Sequence, residues 1–187
     1  MKNRKGFTLI ELLAAMVILG IISAVAIPNV MGILNNSRNS QYVSDAKKLI
    51  SLAEYKFRSS SNIKKPDDTY GTLLTLNYLD NSEFDEAPNG GKYDVNDSYV
   101  LIKKNGNNFD YYVQLIEKLD DNSKKGISQV SYNDLYSENS KDITSRDTFY
   151  QVSARAEENS SSNGIISASY CEKCSEQYPK FYWYGKK

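Results

Sequence analysis

The chain has 187 residues with 23 basic and 23 acidic side chains, so its formal net charge at neutral pH is zero. A neutral chain without a clustered basic excess lacks the electrostatic footprint of a nucleic-acid-binding protein, and no nucleic-acid partner is expected. Histidine is absent, which removes the commonest general base and the commonest metal ligand. No nucleophile-elbow, zinc-protease or phosphate-loop motif occurs, so the sequence predicts no enzyme, no metal site and no cofactor.

The most informative segment is the N-terminus, where a short basic stretch precedes a long apolar run. Lys2, Arg4 and Lys5 come first, and Glu11 is the only charged side chain between Lys5 and Arg38. A bilayer core about 30 Å thick needs roughly 20 apolar helical residues, and this run supplies them. Because basic residues that flank a span stay cytoplasmic, the rest of the chain is predicted to face outward. A carboxylate in such a span costs roughly 2.5 kcal/mol or more unless it is paired, so Glu11 requires a partner.

Residues 5–11 read Lys-Gly-Phe-Thr-Leu-Ile-Glu and lead directly into the apolar run, an order that resembles the type IV prepilin family. The resemblance implies that a prepilin peptidase at the cytoplasmic face cuts after Gly6 and methylates the new N-terminal residue, Phe7. It also implies that Glu11 pairs with the N-terminal amine of a neighbouring subunit as a fibre grows. Gly20 and Pro28 match the positions between which the family's helix often unwinds in fibres, and both residue types weaken a helix.

An ordinary secretory signal peptide is the alternative interpretation of the same segment. Its apolar region would be residues 12–22, and Ala24-Val25-Ala26 would be the small-residue cleavage site, so the mature chain would begin at Ile27. The acidic Glu11 at the head of the apolar region counts against this alternative. The helical pattern also continues past the supposed cut instead of giving way to a loop.

An amphipathic pattern extends the helix beyond the membrane span. Apolar side chains recur at helical spacing and predict one buried stripe, formed by Tyr42, Ala46, Leu49, Ile50, Ala53 and Phe57. The cluster of serines and asparagine at residues 59–62 competes for backbone hydrogen bonds and ends the helix. One helix over residues 7–58 would be on the order of 80 Å long. Its stripe needs a sheet to cover it.

The remaining residues, 59–187, are rich in tyrosine and asparagine and predict one globular head. A short helix is expected over residues 70–79, and the clearest strands over 99–103 and 109–117, joined by a hairpin turn. Further strands are expected at 148–154, 165–170 and 181–184, with loops at 86–91, 120–126 and 157–164 and no clear pattern at 127–141.

The predicted fold class is therefore α+β, with a long N-terminal helix packed against an antiparallel β-sheet head, as in pilins. Four segments are expected along the chain. They are a leader peptide at 1–6, a transmembrane and assembly helix at 7–30, the amphipathic half of that helix at 31–58, and the head at 59–187.

Cys171 and Cys174 form the one other motif that could carry chemistry. Two cysteines without histidine cannot complete a four-ligand zinc site. A redox motif of this spacing needs a helix N-terminus after a buried strand, whereas this one follows a predicted strand near the C-terminus. A small disulfide loop on an extracellular head is favoured, and two free thiols are the alternative, because the sequence does not reveal the redox compartment. The acidic pairs at 67–68, 120–121 and 157–158 are interpreted as solvated loop acids, with a calcium site as the lesser alternative.

The resemblance implies a type IV pilin, a structural subunit that polymerises through its N-terminal helix into a surface fibre for adhesion, surface motility or biofilm formation. Its partners would be other pilin subunits, the prepilin peptidase and the assembly machinery in the membrane. It would cross the bacterial membrane once before assembly and lie in the extracellular fibre afterwards. A pseudopilin of a secretion or competence system is the first alternative, and a membrane-anchored or secreted binding protein without a polymer is the second.

Overall fold

A computed structural model describes residues 7–79, 82–84, 86–121, 123–144, 165–167 and 181–185. The chain divides into two compact units, Met1–Ser37 and Arg38–Lys187. The long helix α1, Leu9–Ser59, belongs partly to each unit and agrees closely with the helix predicted over residues 7–58. All sheet strands lie in the second unit, and the fold is α+β, as predicted.

In the part of the chain that the structure describes, seven strands and two short helices follow α1. In chain order they are β1 (Gly71–Thr75), β2 (Lys92–Tyr93), β3 (Tyr99–Asn105), β4 (Asn108–Lys118), β5 (Lys124–Ser131), α2 (Tyr132–Ser137), α3 (Ser140–Thr144), β6 (Ile165–Ser167) and β7 (Phe181–Tyr184).

The strands form one mixed sheet in the order β2-β4-β3-β1-β7-β6, and β5 also pairs with β4. Every pairing among the described strands is antiparallel except that of β1 with β7, which is parallel. The predicted hairpin is confirmed, because β3 and β4 pair from Tyr99↔Gln114 to Asn105↔Asn108. Gly106 in its two-residue turn has a φ of 59°, a left-handed conformation that glycine adopts without strain.

The helix predicted over residues 70–79 is wrong. Residues Gly71–Thr75 form strand β1, and all five are buried. This strand lies between β3 and β7 and carries side chains into both faces of the sheet. Its only apolar side chains are the adjacent Leu73 and Leu74, and periodicity over so short a run does not distinguish a buried strand from a buried helical turn.

The loop predicted at 120–126 ends earlier than expected, because β5 begins at Lys124. Residues 127–141, which had no clear sequence pattern, contain the rest of β5 and helix α2. Ser131 caps α2 by accepting a hydrogen bond from the backbone N–H of Asp134. Strands β6 and β7 lie where strands were predicted. The strand expected at 148–154 and the loop expected at 157–164 lie outside the described residues.

The apolar stripe of α1 is confirmed as the centre of the core. All six predicted stripe residues are buried, and Val43 joins them. They share one cluster with Leu74, Val100 and Ile102 of the sheet. The alternate side chains of the same strands, Leu73 and Leu101 among them, form a second cluster with Phe181. This alternation follows from the two-residue period of a strand, so α1 covers one face of the sheet.

Candidate functional site

The N-terminus of α1 is closed by two side chains that bond to each other. The backbone N–H and the hydroxyl of Thr8 each donate to Oε2 of Glu11 at 2.8 Å, and the Glu11 N–H donates back to the Thr8 hydroxyl at 3.4 Å. This reciprocal arrangement is a capping box, in which a threonine and a glutamate three residues later satisfy N–H groups that a helix start leaves unpaired. Within the single chain, Thr8 is therefore the partner of the Glu11 carboxylate.

Thr8 is the residue at this site that the sequence interpretation missed. The signal was present, because Thr-x-x-Glu before an apolar run is the sequence pattern of a capping box. Phe7 lies directly before it, and its side chain is 90% exposed. Gly6, on the other side of the predicted cut, lies outside the described residues.

The helix that follows this cap presents its large apolar side chains outward. None of the most apolar part of this helix is buried. By length and composition this helix could cross a membrane. The exposed side chains include Leu9, Leu13, Val17, Ile21, Val25 and Met31.

Gly20 and Pro28 both lie inside α1, which is helical through each of them in the single chain. Pro28 cannot donate a backbone hydrogen bond, so the turn before it is weakened. The side-chain amide of Asn29 donates to the Val25 carbonyl at 3.0 Å and adds a hydrogen bond to that turn. A Cβ at Gly20 would meet nothing within 4 Å, so packing within this chain does not demand glycine there.

A second polar cluster, around Glu117 of β4, also escaped the sequence interpretation. The Glu117 side chain is fully buried, and the Tyr42 hydroxyl of α1 donates to its Oε2. The side-chain amide of Asn89 donates to the same oxygen at 3.0 Å, and the Gly91 N–H donates to Oε1 at 2.8 Å. A Cβ at Gly91 would lie 2.8 Å from Oε1, so glycine permits this close approach. The cluster joins α1, the loop at 86–91 and β4.

A neighbouring pair repeats the same chemistry. The Tyr93 hydroxyl donates to Oδ2 of Asp45 at 2.7 Å, and its ring contacts that of Tyr42 edge to face. Burial raises the pKa of both tyrosines, and their carboxylate partners raise it further. Burial also raises the pKa of Asp45, although the Tyr93 hydroxyl opposes this shift. Both tyrosines therefore stay neutral donors, and the cluster is a polar junction that ties α1 to the sheet and to the loop at 86–91.

The loop acids have local structural roles where they are described. Asp67 accepts hydrogen bonds from the N–H groups of Thr69 and Tyr70, and Asp121 accepts one from Ser123. Among the described residues, no group of three or more histidine, cysteine, aspartate or glutamate side chains could hold a metal ion. The pair at 157–158 and the two cysteines, Cys171 and Cys174, lie outside the described residues.

Residues 1–27 match the family model of the prokaryotic N-terminal methylation motif. The chain carries the type IV pilin and pseudopilin signature. This signature belongs to structural subunits that a prepilin peptidase processes and that polymerise into fibres. The matched segment holds Gly6, Phe7, Glu11 and Gly20 and ends just before Pro28. No curated protein and no solved structure matches the chain significantly.

Proposed function

We propose that the chain is a type IV pilin, a structural subunit that polymerises through its N-terminal helix into a surface fibre. The observation that carries this proposal is that the matched methylation motif coincides with a capped helix whose apolar side chains are uncovered. Apolar surface of this extent requires cover. Lipid covers it while the subunit is a single-pass membrane protein, and the helices of neighbouring subunits cover it in the extracellular fibre. Adhesion, surface motility and biofilm formation are the roles of such a fibre.

Glu11 has a defined role in this proposal. Cleavage after Gly6 turns the backbone nitrogen of Phe7 into a charged amine. This amine lies one residue before Thr8, whose N–H already donates to Glu11. Both hydrogen bonds from Thr8 use Oε2 of Glu11, which leaves Oε1 to receive the amine of the next subunit. Because lipid and packed helices screen charge weakly, this ion pair selects the register of the added subunit.

Gly20 and Pro28 are proposed to act after insertion. Unwinding of α1 between them would let neighbouring helices pack in the fibre. Glycine and proline both lower the free energy needed to unwind a helix. The continuous helix of the single chain is the state before this change.

A pseudopilin of a secretion or competence system is the second candidate, because the same signature serves both kinds of fibre. A membrane-anchored binding protein without a polymer is the third. Electron microscopy of cells with and without the gene separates them. Long surface fibres that disappear with the gene support a pilin, and their absence in both strains supports one of the other two.

The processing step gives the first prediction. Material sheared from the cell surface should begin at Phe7 and carry one N-methyl group, as measured by intact mass and N-terminal sequencing. In the membrane fraction, Gly6→Val should keep the leader attached, because a branched side chain replaces the glycine at the cut, whereas the matched control Gly32→Ala, at an uncrowded glycine of α1, should be processed normally. A mature chain that begins at Ile27 would show that the segment is a secretory signal peptide.

A further inference from the structure

A pocket opens in the head where strand β5 ends before its neighbour β4 does. The pairing of β4 with β5 stops at Tyr112↔Ser131, whereas the pairing of β4 with β3 continues to Asn108. The chain then turns away into α2, and a cavity of about 290 Å³ is left beside the first residues of β4. This volume lies at the low end of small-molecule sites, so it suits a ligand of one or two rings.

Four of the eight residues that line this pocket are aromatic. Phe109, Tyr111 and Tyr112 come from β4, and Tyr132 comes from the start of α2. Tyr132 is 43% exposed, so part of its ring is open to a ligand. Ring faces of this kind bind flat, weakly polar surfaces with carbon-bound hydrogens pointing at the ring.

These rings are held in place before any ligand arrives. The ring of Phe109 packs edge to face on that of Phe57 in α1, with centroids 5.2 Å apart. The ring of Tyr132 lies 4.6 Å from that of Tyr136. Lys47 of α1 places its ammonium group 3.9 Å from the centre of the Tyr136 ring, which anchors this pair to the long helix. Preorganised walls reduce the entropy that a ligand must lose on binding.

The polar part of the wall is neutral or acidic. The side-chain amide of Asn105 donates to Oδ2 of Asp110 at 2.9 Å, which orients two planar polar groups side by side. No lysine or arginine is among the described residues that line the pocket. A phosphate, sulfate or carboxylate ligand would meet the Asp110 carboxylate, whereas Lys103, which is not a lining residue, places its ammonium group 4.9 Å from the centre of the Tyr112 ring.

We propose that this pocket binds the terminal one or two units of a neutral saccharide, stacked on Tyr132 and hydrogen-bonded to Asn105 and Asp110. A sugar ring has an apolar face, which can stack on an aromatic ring. Its edge carries adjacent hydroxyl groups, which can bind the polar side chains. Those hydroxyls both donate and accept, which matches an amide beside a carboxylate. A quaternary ammonium ligand is the competing chemistry, since aromatic rings and an acid also attract cations.

The test uses the full chain in micelles of a polyoxyethylene detergent, which carries neither a sugar nor an ammonium head group. Saturation-transfer NMR with irradiation of the aromatic protons is recorded for four disaccharides at millimolar concentration: lactose, maltose, cellobiose and diacetylchitobiose. Tetramethylammonium serves as the cationic probe. At least one disaccharide should receive saturation, strongest on the hydrogens of one ring face.

Substitutions of lining residues test whether the disaccharide binds in this pocket. Tyr132→Ala should weaken binding about fivefold or more, because one stacking surface is lost, and Tyr132→Phe should retain most of it. Tyr55→Ala is the matched control, since Tyr55 is an exposed tyrosine of α1 outside the pocket. Asp110→Ala gives a second, independent loss, and far-UV circular dichroism verifies that each variant is folded. The proposal is overturned if no disaccharide binds, if only tetramethylammonium binds, or if folded Tyr132→Ala and Asp110→Ala bind as the wild type does.

Discussion

The Glu11 carboxylate at the start of α1 has two roles: it caps the helix with Thr8, and it is proposed to pair with the amine of a neighbouring subunit. In the single chain, the Glu11 side chain accepts two hydrogen bonds from Thr8 and caps the helix. In the proposed fibre it also pairs with a charged amine. The sequence predicted that Glu11 needs a partner, and Thr8 supplies one within the same chain. Pairing with a neighbouring subunit stays a prediction, and any test of it must keep the cap intact.

The buried Glu117 side chain is expected to stabilise the head through the hydrogen bonds that it accepts. Glu117→Ala should lower the free energy of unfolding by roughly 3 kcal/mol, because the buried Tyr42 and the half-buried Asn89 and Gly91 lose the acceptor of their hydrogen bonds together. Glu83→Ala is the control, since its carboxylate is mostly exposed and its ion pair with Lys48 lies at the surface. That change should stay within about 0.5 kcal/mol. Urea unfolding of the full chain in micelles, followed by near-UV circular dichroism, measures both. Equal stabilities for the two variants would show that the Glu117 cluster does not hold the head together.

The elements show which sequence patterns are decisive and which are not. The stripe from Tyr42 to Phe57 was predictable because six apolar positions at one period leave only one face to bury. The hairpin of β3 and β4 was predictable because Gly106-Asn107 between two strand-like runs suits a two-residue hairpin turn. Strand β1 was not, because Leu73, Leu74 and Leu76 suit a helix as well as a central strand. Only pairing with β3 and β7, which are distant in sequence, selects the strand.

The small residues of the α1 stripe give a prediction at the element scale. Ala53 is fully buried in the cluster that joins helix and sheet, so Ala53→Leu should force the two apart or strain the side chains around it. We expect a loss of about 1–3 kcal/mol in unfolding free energy. Ser44→Leu adds the same side chain at an exposed position of the same helix and should change stability little. An Ala53→Leu variant as stable as Ser44→Leu would mean that α1 does not pack closely on the sheet.

In the whole molecule, the long helix and the assembly motif could be predicted from the first sixty residues, and the α+β class from these together with the strand patterns of residues 59–187. Those features depend on local patterns, namely a basic start, an apolar run and a helical stripe. The Glu117 cluster and the pocket beside Tyr132 could not be predicted. Each brings together side chains from segments far apart in sequence, such as Tyr42 with Asn89 and Phe109 with Tyr132. Contacts of that kind follow from sheet pairing, which no single segment specifies.

Whether the chain polymerises through the charge of Glu11 is decided by the variant Glu11→Gln. Glutamine can accept the same capping hydrogen bonds from Thr8 but carries no charge to attract an amine. Thr8→Val is the matched control, because it removes the hydroxyl of the cap and keeps the carboxylate. Each variant is expressed as the sole copy, and its amount in the membrane fraction and in sheared surface fibres is compared with wild type by immunoblot. We expect Glu11→Gln to reach the membrane at wild-type level yet to be nearly absent from fibres, whereas Thr8→Val still assembles. Fibres of Glu11→Gln in wild-type amount would show that the Glu11 charge has no role in assembly.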